Sequence, residues 1–236
     1  MRARRARALL MGGQACVFYG AAEFSRDADF AILADSANLV RLRAALADLQ
    51  ADVIAVPPFT LAQLRRGHAI HFRCRHPEAF GMRVDVMSLM RGVEPFSKLW
   101  RRRTTIELPD GTPCDLLALP DLLQAKKTQR DKDWPMIRRL GEAHYFQYRA
   151  KPAPALITFW LLELRTPELL VEVARTNSSR CRRLVRRRPL LALALAREVD
   201  GLDRALREEE LAERERDRRH WLPLRRELER LRHTRR

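Results

Sequence analysis

Every run with strand character in this 236-residue chain lies before residue 131, and beyond it only helical spacing is found. Short apolar runs bounded by glycine and proline clusters read as strands, whereas apolar positions three and four apart mark one face of a helix. Ala8 to Met11, Asp27 to Leu33 and Val53 to Val56 are therefore predicted strands. Gln14 to Ala22 and Thr60 to Arg66 are predicted helical, as is Asn38 to Leu49, whose stripe of Leu39, Leu42, Leu46 and Leu49 follows a cap at Asp35 or Ser36. Two hairpins are expected. Ala69 to Arg75 and Met82 to Met90 flank a loop holding Pro77 and Gly81, and Thr104 to Leu108 and Cys114 to Leu119 flank an Asp110-Gly111 turn. Pro120 opens a helix through Arg130, Thr166-Pro167-Glu168 and Pro189 start others, and a charged amphipathic helix follows Leu202. The expected fold class is α/β (α+β), a mixed sheet flanked by helices, at residues 1–140, followed by a basic helical C-terminal region at 141–236.

With 46% hydrophobic residues the chain can bury a sizeable core. Its formal charge is +16, nearly all arginine, since Lys98, Lys126, Lys127, Lys132 and Lys151 are the only lysines. Such a surface attracts polyanions such as tRNA, other RNA and nucleotides. Cys16, Cys74, Cys114 and Cys181 are too widely spaced for a disulfide framework or a C-x-x-C pair, which fits reduced thiols in a cytoplasm. The basic start MRARRARALLM is too poor in apolar residues for a signal peptide, and no run approaches the ~20 residues of a membrane span. A cytoplasmic protein without membrane association is expected.

Two aspartates interrupt the second strand. Side chains alternate along a strand, so Asp27 and Asp29 fall on one face, about 7 Å apart. Carboxylates held that close call for a cation, and Mg2+ (or Mn2+) takes hard oxygen ligands from carboxylates and substrate phosphates. In "GMRVDVMSL", Arg83, Asp85 and Met87 face one way and Val84 and Val86 the other, and Asp85 completes a carboxylate triad if its strand lies beside the first. The glycine turn Gly12-Gly13 after a strand, followed by a helix and Ser25, adds backbone N–H groups and a hydroxyl suited to phosphate.

The pair Gly12-Gly13, "SRDAD" at 25–29 and "RVDV" at 83–86 resemble the core of the nucleotidyltransferase (DNA polymerase β-like) superfamily, close to its AbiEii-type members. The resemblance covers roughly residues 8–140 and extends to the segment "LPDLLQAKKTQRDKDWPMIRRL". It implies a nucleotidyltransferase-type sheet and transfer of a nucleoside monophosphate from an NTP to a hydroxyl of RNA, protein or a small molecule. It also implies divalent metal at Asp27, Asp29 and Asp85, with Asp85 joining the metal set or taking the acceptor's proton. Gly12, Gly13 and Ser25 would then cradle phosphates, and Lys126, Lys127, Arg130 or Lys132 would neutralise the triphosphate. An antitoxin-type partner belongs to the same implication. Glu23 departs from the pattern, being an acid where many members carry a base.

The other signals weigh less. His68, His71, Cys74 and His76 have zinc-ligand chemistry, but strand alternation sends His71, Arg73 and Arg75 to one side and Ile70, Phe72 and Cys74 to the other. "TFWLLEL" at 158–164 reads as core. "RCRRLVRRRP", Arg180 to Pro189, is the densest basic stretch, followed by "LWRRR" at 99–103, and both suit an RNA acceptor. The alternative to an enzyme is a nucleotidyltransferase-fold module without catalysis that binds nucleic acid or a partner protein.

Overall fold

The computed structural model describes residues 1–234 and is mixed α/β, with one open sheet of seven strands. By packing, the chain forms two compact units. The first comprises Met1–Phe18, Ala22–Ala125 and the described residues from Arg219, and the second comprises Tyr19–Ala21 and Lys126–Arg218.

All the strands belong to the first unit. Its elements are β1 (Ala8–Met11), α1 (Gly12–Phe18), β2 (Asp27–Ile32), α2 (Ser36–Asp48), β3 (Asp52–Val53), α3 (Leu61–Arg66), β4 (Ile70–Arg73), β5 (Arg83–Met87), α4 (Phe96–Arg102), β6 (Thr104–Glu107), β7 (Pro113–Leu116) and α5 (Leu119–Ala125). The strand order is β3-β4-β5-β2-β1-β7-β6. β2 runs parallel to β5 and β1 to β7, while the remaining neighbours are antiparallel, including the two expected hairpins β4–β5 and β6–β7.

Alternation sorts the sheet into two chemically distinct faces. Ile32, Ile70, Phe72, Val84 and Val86 pack with Leu42 and Leu46 of α2 and Leu64 of α3 in one core, and Ala28 and Phe30 lean on it. The opposite face of β2, β5 and β4 therefore carries Asp27, Asp29, Arg83, Asp85, His71 and Arg73. The start of α2 is fastened by Asp35, whose side chain accepts from the Asn38 N–H at 2.6 Å. Buried Asn38 in turn accepts from the Arg7 N–H and donates to the carbonyls of Arg7 and Leu33, which fixes the helix across β1 and β2.

Several elements are shorter than their sequence pattern suggests. The helix expected over Gln14 to Ala22 runs from Gly12 to Phe18 and ends before Gly20, whose φ of +72° cannot continue it. The strand expected at Val53 to Val56 is two residues long and stops short of Pro57. The helix expected from Pro120 to Arg130 ends at Ala125, because the next turn folds onto Asp133, which Lys126, Thr128 and Arg130 all contact.

The second unit is helical: α6 (Asp133–Tyr148), α7 (Pro154–Glu163), α8 (Pro167–Thr176), α9 (Ser178–Leu184), α10 (Leu191–Ala196) and most of α11 (Val199–Thr234). Trp160, Leu161 and Leu164 of the apolar stretch at 158–164 lie in its core with Leu170, Val173, Leu191, Leu202 and Leu206. Trp160 Nε1 donates to His144 Nδ1 at 2.9 Å, and burial lowers the His144 pKa, which keeps that nitrogen an acceptor. Among the described residues no helix is long and apolar enough to cross a membrane.

Candidate active site

The carboxylates expected from the sequence meet on one sheet face. In the parallel ladder Asp27 stands opposite Arg83 and Asp29 opposite Asp85, and across the next ladder Asp85 stands opposite His71. Neighbouring strands lie roughly 4.8 Å apart, so Asp29 and Asp85 are adjacent across the sheet while Asp27 and Asp29 are separated along it.

The glycine pair makes this arrangement sterically feasible. Gly12 has a φ of +67°, and a Cβ added there would lie 1.8 Å from Asp29 Oδ2. A Cβ at Gly13 would lie 2.4 Å from Ser25 Oγ. The absent side chains are thus the space that Asp29 and Ser25 occupy. Gln14 Nε2 donates to the Ser25 carbonyl at 2.8 Å and Ser25 Oγ to the Asp27 carbonyl at 3.2 Å, so the segment leading into β2 is held against the start of α1.

The three acids are not equivalent. Asp27 is half-buried, and its carboxylate accepts no hydrogen bond from any described residue. Asp85 is nearly buried and fully engaged: Arg83 Nε lies 2.9 Å from Oδ1 and Arg83 Nη2 3.0 Å from Oδ2, a bidentate fork along one strand face. His71 Nδ1 lies 2.9 Å from both Arg83 Nη2 and Asp85 Oδ1. That nitrogen accepts from the guanidinium when it carries no proton and donates to the carboxylate when it does. Burial pushes the Asp85 pKa up, but hydrogen bonds from His71 and Arg83 outweigh it and hold the group below the usual carboxylate range. The bond to Asp85 also raises the Arg83 pKa against burial, with the charges of Asp27 and Asp29 adding to the effect. Arg83 is therefore the cation common to all three carboxylates.

Among the described residues no three His, Cys, Asp or Glu side chains are grouped to hold a metal ion, and Asp85 here turns both oxygens to Arg83. The donor chemistry of Asp27 and Asp29 nevertheless suits magnesium, which commonly takes one or two carboxylates and fills its octahedron with water and phosphate oxygens.

The basic residues expected to neutralise a triphosphate have other partners. Lys126 is buried with its Nζ 3.0 Å from Asp133 Oδ1, Arg130 Nε lies 2.8 Å from Asp133 Oδ2, and Lys127 Nζ lies 2.6 Å from Glu163 Oε2. Each charge is compensated inside the second unit. Lys132 and Glu23 are exposed. In the histidine-rich segment, Cys74 and His68 are buried, while His71 and Arg73 take the acidic face. Alternation already sets Arg83 on the face of Asp85 and offers His71 to the aspartate face; what motif spacing passes over is their contact with Asp85, for which the signal is the i, i+2 spacing of Arg83 and Asp85 and the β4–β5 register.

No protein-family model matches the chain, and no curated protein matches it in sequence.

Proposed function

We propose that the first unit is a Mg2+-dependent nucleotidyltransferase that moves a nucleoside monophosphate from an NTP to a hydroxyl acceptor. The observation that carries this reading is the register that sets Asp29 beside Asp85 and Asp27 two residues along the same face, against a glycine turn shaped around Asp29. Asp27 and Asp29 would hold the metal, whose chemistry is to neutralise phosphate charge and polarise the reacting oxygens. Asp85, held below the usual carboxylate range, is a weak proton acceptor at neutral pH; its role here is to position Arg83. The Arg83 guanidinium, held by Asp85 and His71 and still partly exposed, would bind phosphate oxygens. Ser25 offers a hydroxyl at the entrance to β2.

Incubation with α-labelled NTPs, Mg2+ or Mn2+ and RNA, protein and small-molecule acceptors tests the proposal. Label transfer is expected in the wild type and should fall by ~10²-fold or more in Asp27→Ala and in Asp29→Ala. Transfer that persists unchanged in both variants would remove these residues from the site.

One observation favours a second reading. Asp85 is satisfied by Arg83 and His71 without any metal, as it would be in a binding module that has no catalytic cycle. Calorimetry separates the two: the enzyme gives heat with Mg-NTP, and the module gives none.

A further inference from the structure

The arginines of the second unit fall into two sets with different work. In the stretch Arg180 to Arg188, two of the six point inward. Arg180 Nη1 donates to the Pro154 carbonyl and Thr158 Oγ1, at 3.0 and 2.9 Å. Arg188 is buried, with Nη1 on the carbonyls of Leu161 and Leu164 at 3.0 Å and its other nitrogens on Glu209. The remaining four, Arg182, Arg183, Arg186 and Arg187, are exposed, and none of their side chains makes a hydrogen bond or ion pair with a described residue. Exposed Arg175, at the end of α8, is also unpaired.

Several other exposed arginines of the unit are paired instead. On α11, Arg207 pairs with Asp203, Arg216 with Glu213 and Arg218 with Glu215, and on α6 Arg138 pairs with Glu142. Between Glu172 and Glu198 the sequence has no acid at all, so the patch has no local counter-charge to offer. Its backbone is ordered: α9 ends at Leu184, and the N–H groups of Arg187 and Arg188 both bond the Leu184 carbonyl, which continues the turn. Arg182 and Arg186, like Arg183 and Arg187, thus stand about one helical turn apart.

The structure assigns this patch as a binding surface for the phosphate backbone of a nucleic acid strand. A row of uncompensated guanidinium groups on a fixed scaffold neutralises successive phosphates and binds by counterion release. The apolar neighbours Leu184 and Val185 are turned into the unit's core, so no exposed apolar face is left for insertion into a bilayer. No exposed aromatic lies among the four arginines to read bases, so the surface is expected to bind without sequence preference. The inference does not depend on the transfer reaction proposed for the first unit, because binding is measured by itself.

The test uses the full chain and fluorescein-labelled single-stranded RNA and DNA of equal length, titrated by anisotropy at several salt concentrations. Four phosphate contacts correspond to a slope of about −2.8 in log K against log salt, or roughly a fiftyfold loss between ~50 and ~200 mM. In Arg182→Gln/Arg183→Gln/Arg186→Gln/Arg187→Gln that slope should flatten by about the same amount, with at least ~10-fold weaker binding at low salt. A control removes the same formal charge from paired positions, Arg138→Gln/Arg207→Gln/Arg216→Gln/Arg218→Gln, and should bind nearly as the wild type. The pairs Arg182→Gln/Arg186→Gln and Arg183→Gln/Arg187→Gln, made separately and checked by circular dichroism, keep the test decisive if the quadruple variant misfolds. The two probes distinguish RNA from DNA as the source of the backbone. Equal losses in patch and control variants would overturn the assignment. So would equal binding to polyglutamate, or to phosphatidylglycerol vesicles, at matched charge and salt.

Discussion

Gly12 is where one atom decides whether the candidate site can assemble. Its φ of +67° is costly for any other residue, and the position of the missing Cβ is already taken by the Asp29 carboxylate. Gly12→Ala is expected to lose about 3 kcal/mol or more of stability by urea titration, combining backbone strain with displacement of a packed side chain. Gly20 has a similar φ of +72° and nothing within 4 Å, so Gly20→Ala should cost only about 1–2 kcal/mol. Asp85 makes a second prediction. Its folded pKa is depressed, so its contribution to stability is complete above its unfolded value near 4 and is lost as pH falls through the folded pKa. The stability gap between wild type and Asp85→Asn should therefore be at its full size above about pH 4 and close progressively as the pH falls below it. The shared face of Asp27 and Asp29 was legible in the sequence, because alternation alone dictates it, whereas Asp85 joins it only because β5 pairs with β2 in this register. The clasp of Arg83 and His71 on Asp85 was not legible. It depends on the β4–β5 register, set by a loop in which Cys74 N–H bonds the Met82 carbonyl and Gly81 N–H the Cys74 carbonyl.

At the level of elements, the hairpins and amphipathic helices follow from period and turn chemistry, and their ends follow from tertiary partners. The end of α5 shows the difference. Nothing in "QAKKTQR" breaks a helix by propensity, yet the chain leaves α5 after Ala125 so that Lys126 can reach the fully buried Asp133. A buried carboxylate needs its partners, and three of them come from this one turn. Arg188 plays a comparable part at the C-terminal end of α7, where it satisfies carbonyls that the helix leaves unbonded. Arg165 and Arg188 share Glu209, and although burial pushes the Glu209 pKa up, the hydrogen bond and charge of Arg188 hold it below the usual range. Arg188→Ala should therefore cost the second unit about 3–5 kcal/mol, read as a loss of amide-exchange protection along α7. Arg183→Ala, three residues beyond the inward-turned Arg180 and itself exposed, should leave that protection unchanged within ~0.5 kcal/mol.

Across the whole molecule, the first unit is assembled from both ends of the chain. Residues from Arg219 return to it through the last turns of α11, where Trp221 and Leu224 lie within 3.6 Å of a Cβ built at Gly67. Glu227 pairs with Arg66 and stands 3.3 Å from Nε2 of His68, a buried imidazole with no other polar partner among the described residues. Ending the chain after Arg218 is expected to lower the melting temperature of the first unit by several degrees and to expose α3 to exchange, since His68 loses Glu227. Glu227→Gln, which keeps the packing and removes the charge, should produce a smaller drop in the same direction. This use of the C-terminus was invisible in sequence, where 219–234 reads as one more charged helix.

The same feature sets the order of events during synthesis. When Ala125 leaves the ribosome, every strand of the sheet has been made, but Trp221, Leu224 and Glu227 have not been translated. At ~5–20 residues per second, the nascent sheet waits roughly 5–20 seconds with His68 and the surface around Gly67 uncovered. Over that interval α6 to α10 emerge in order, so the helical unit, contiguous apart from Tyr19–Ala21, can begin to pack before the first unit is complete.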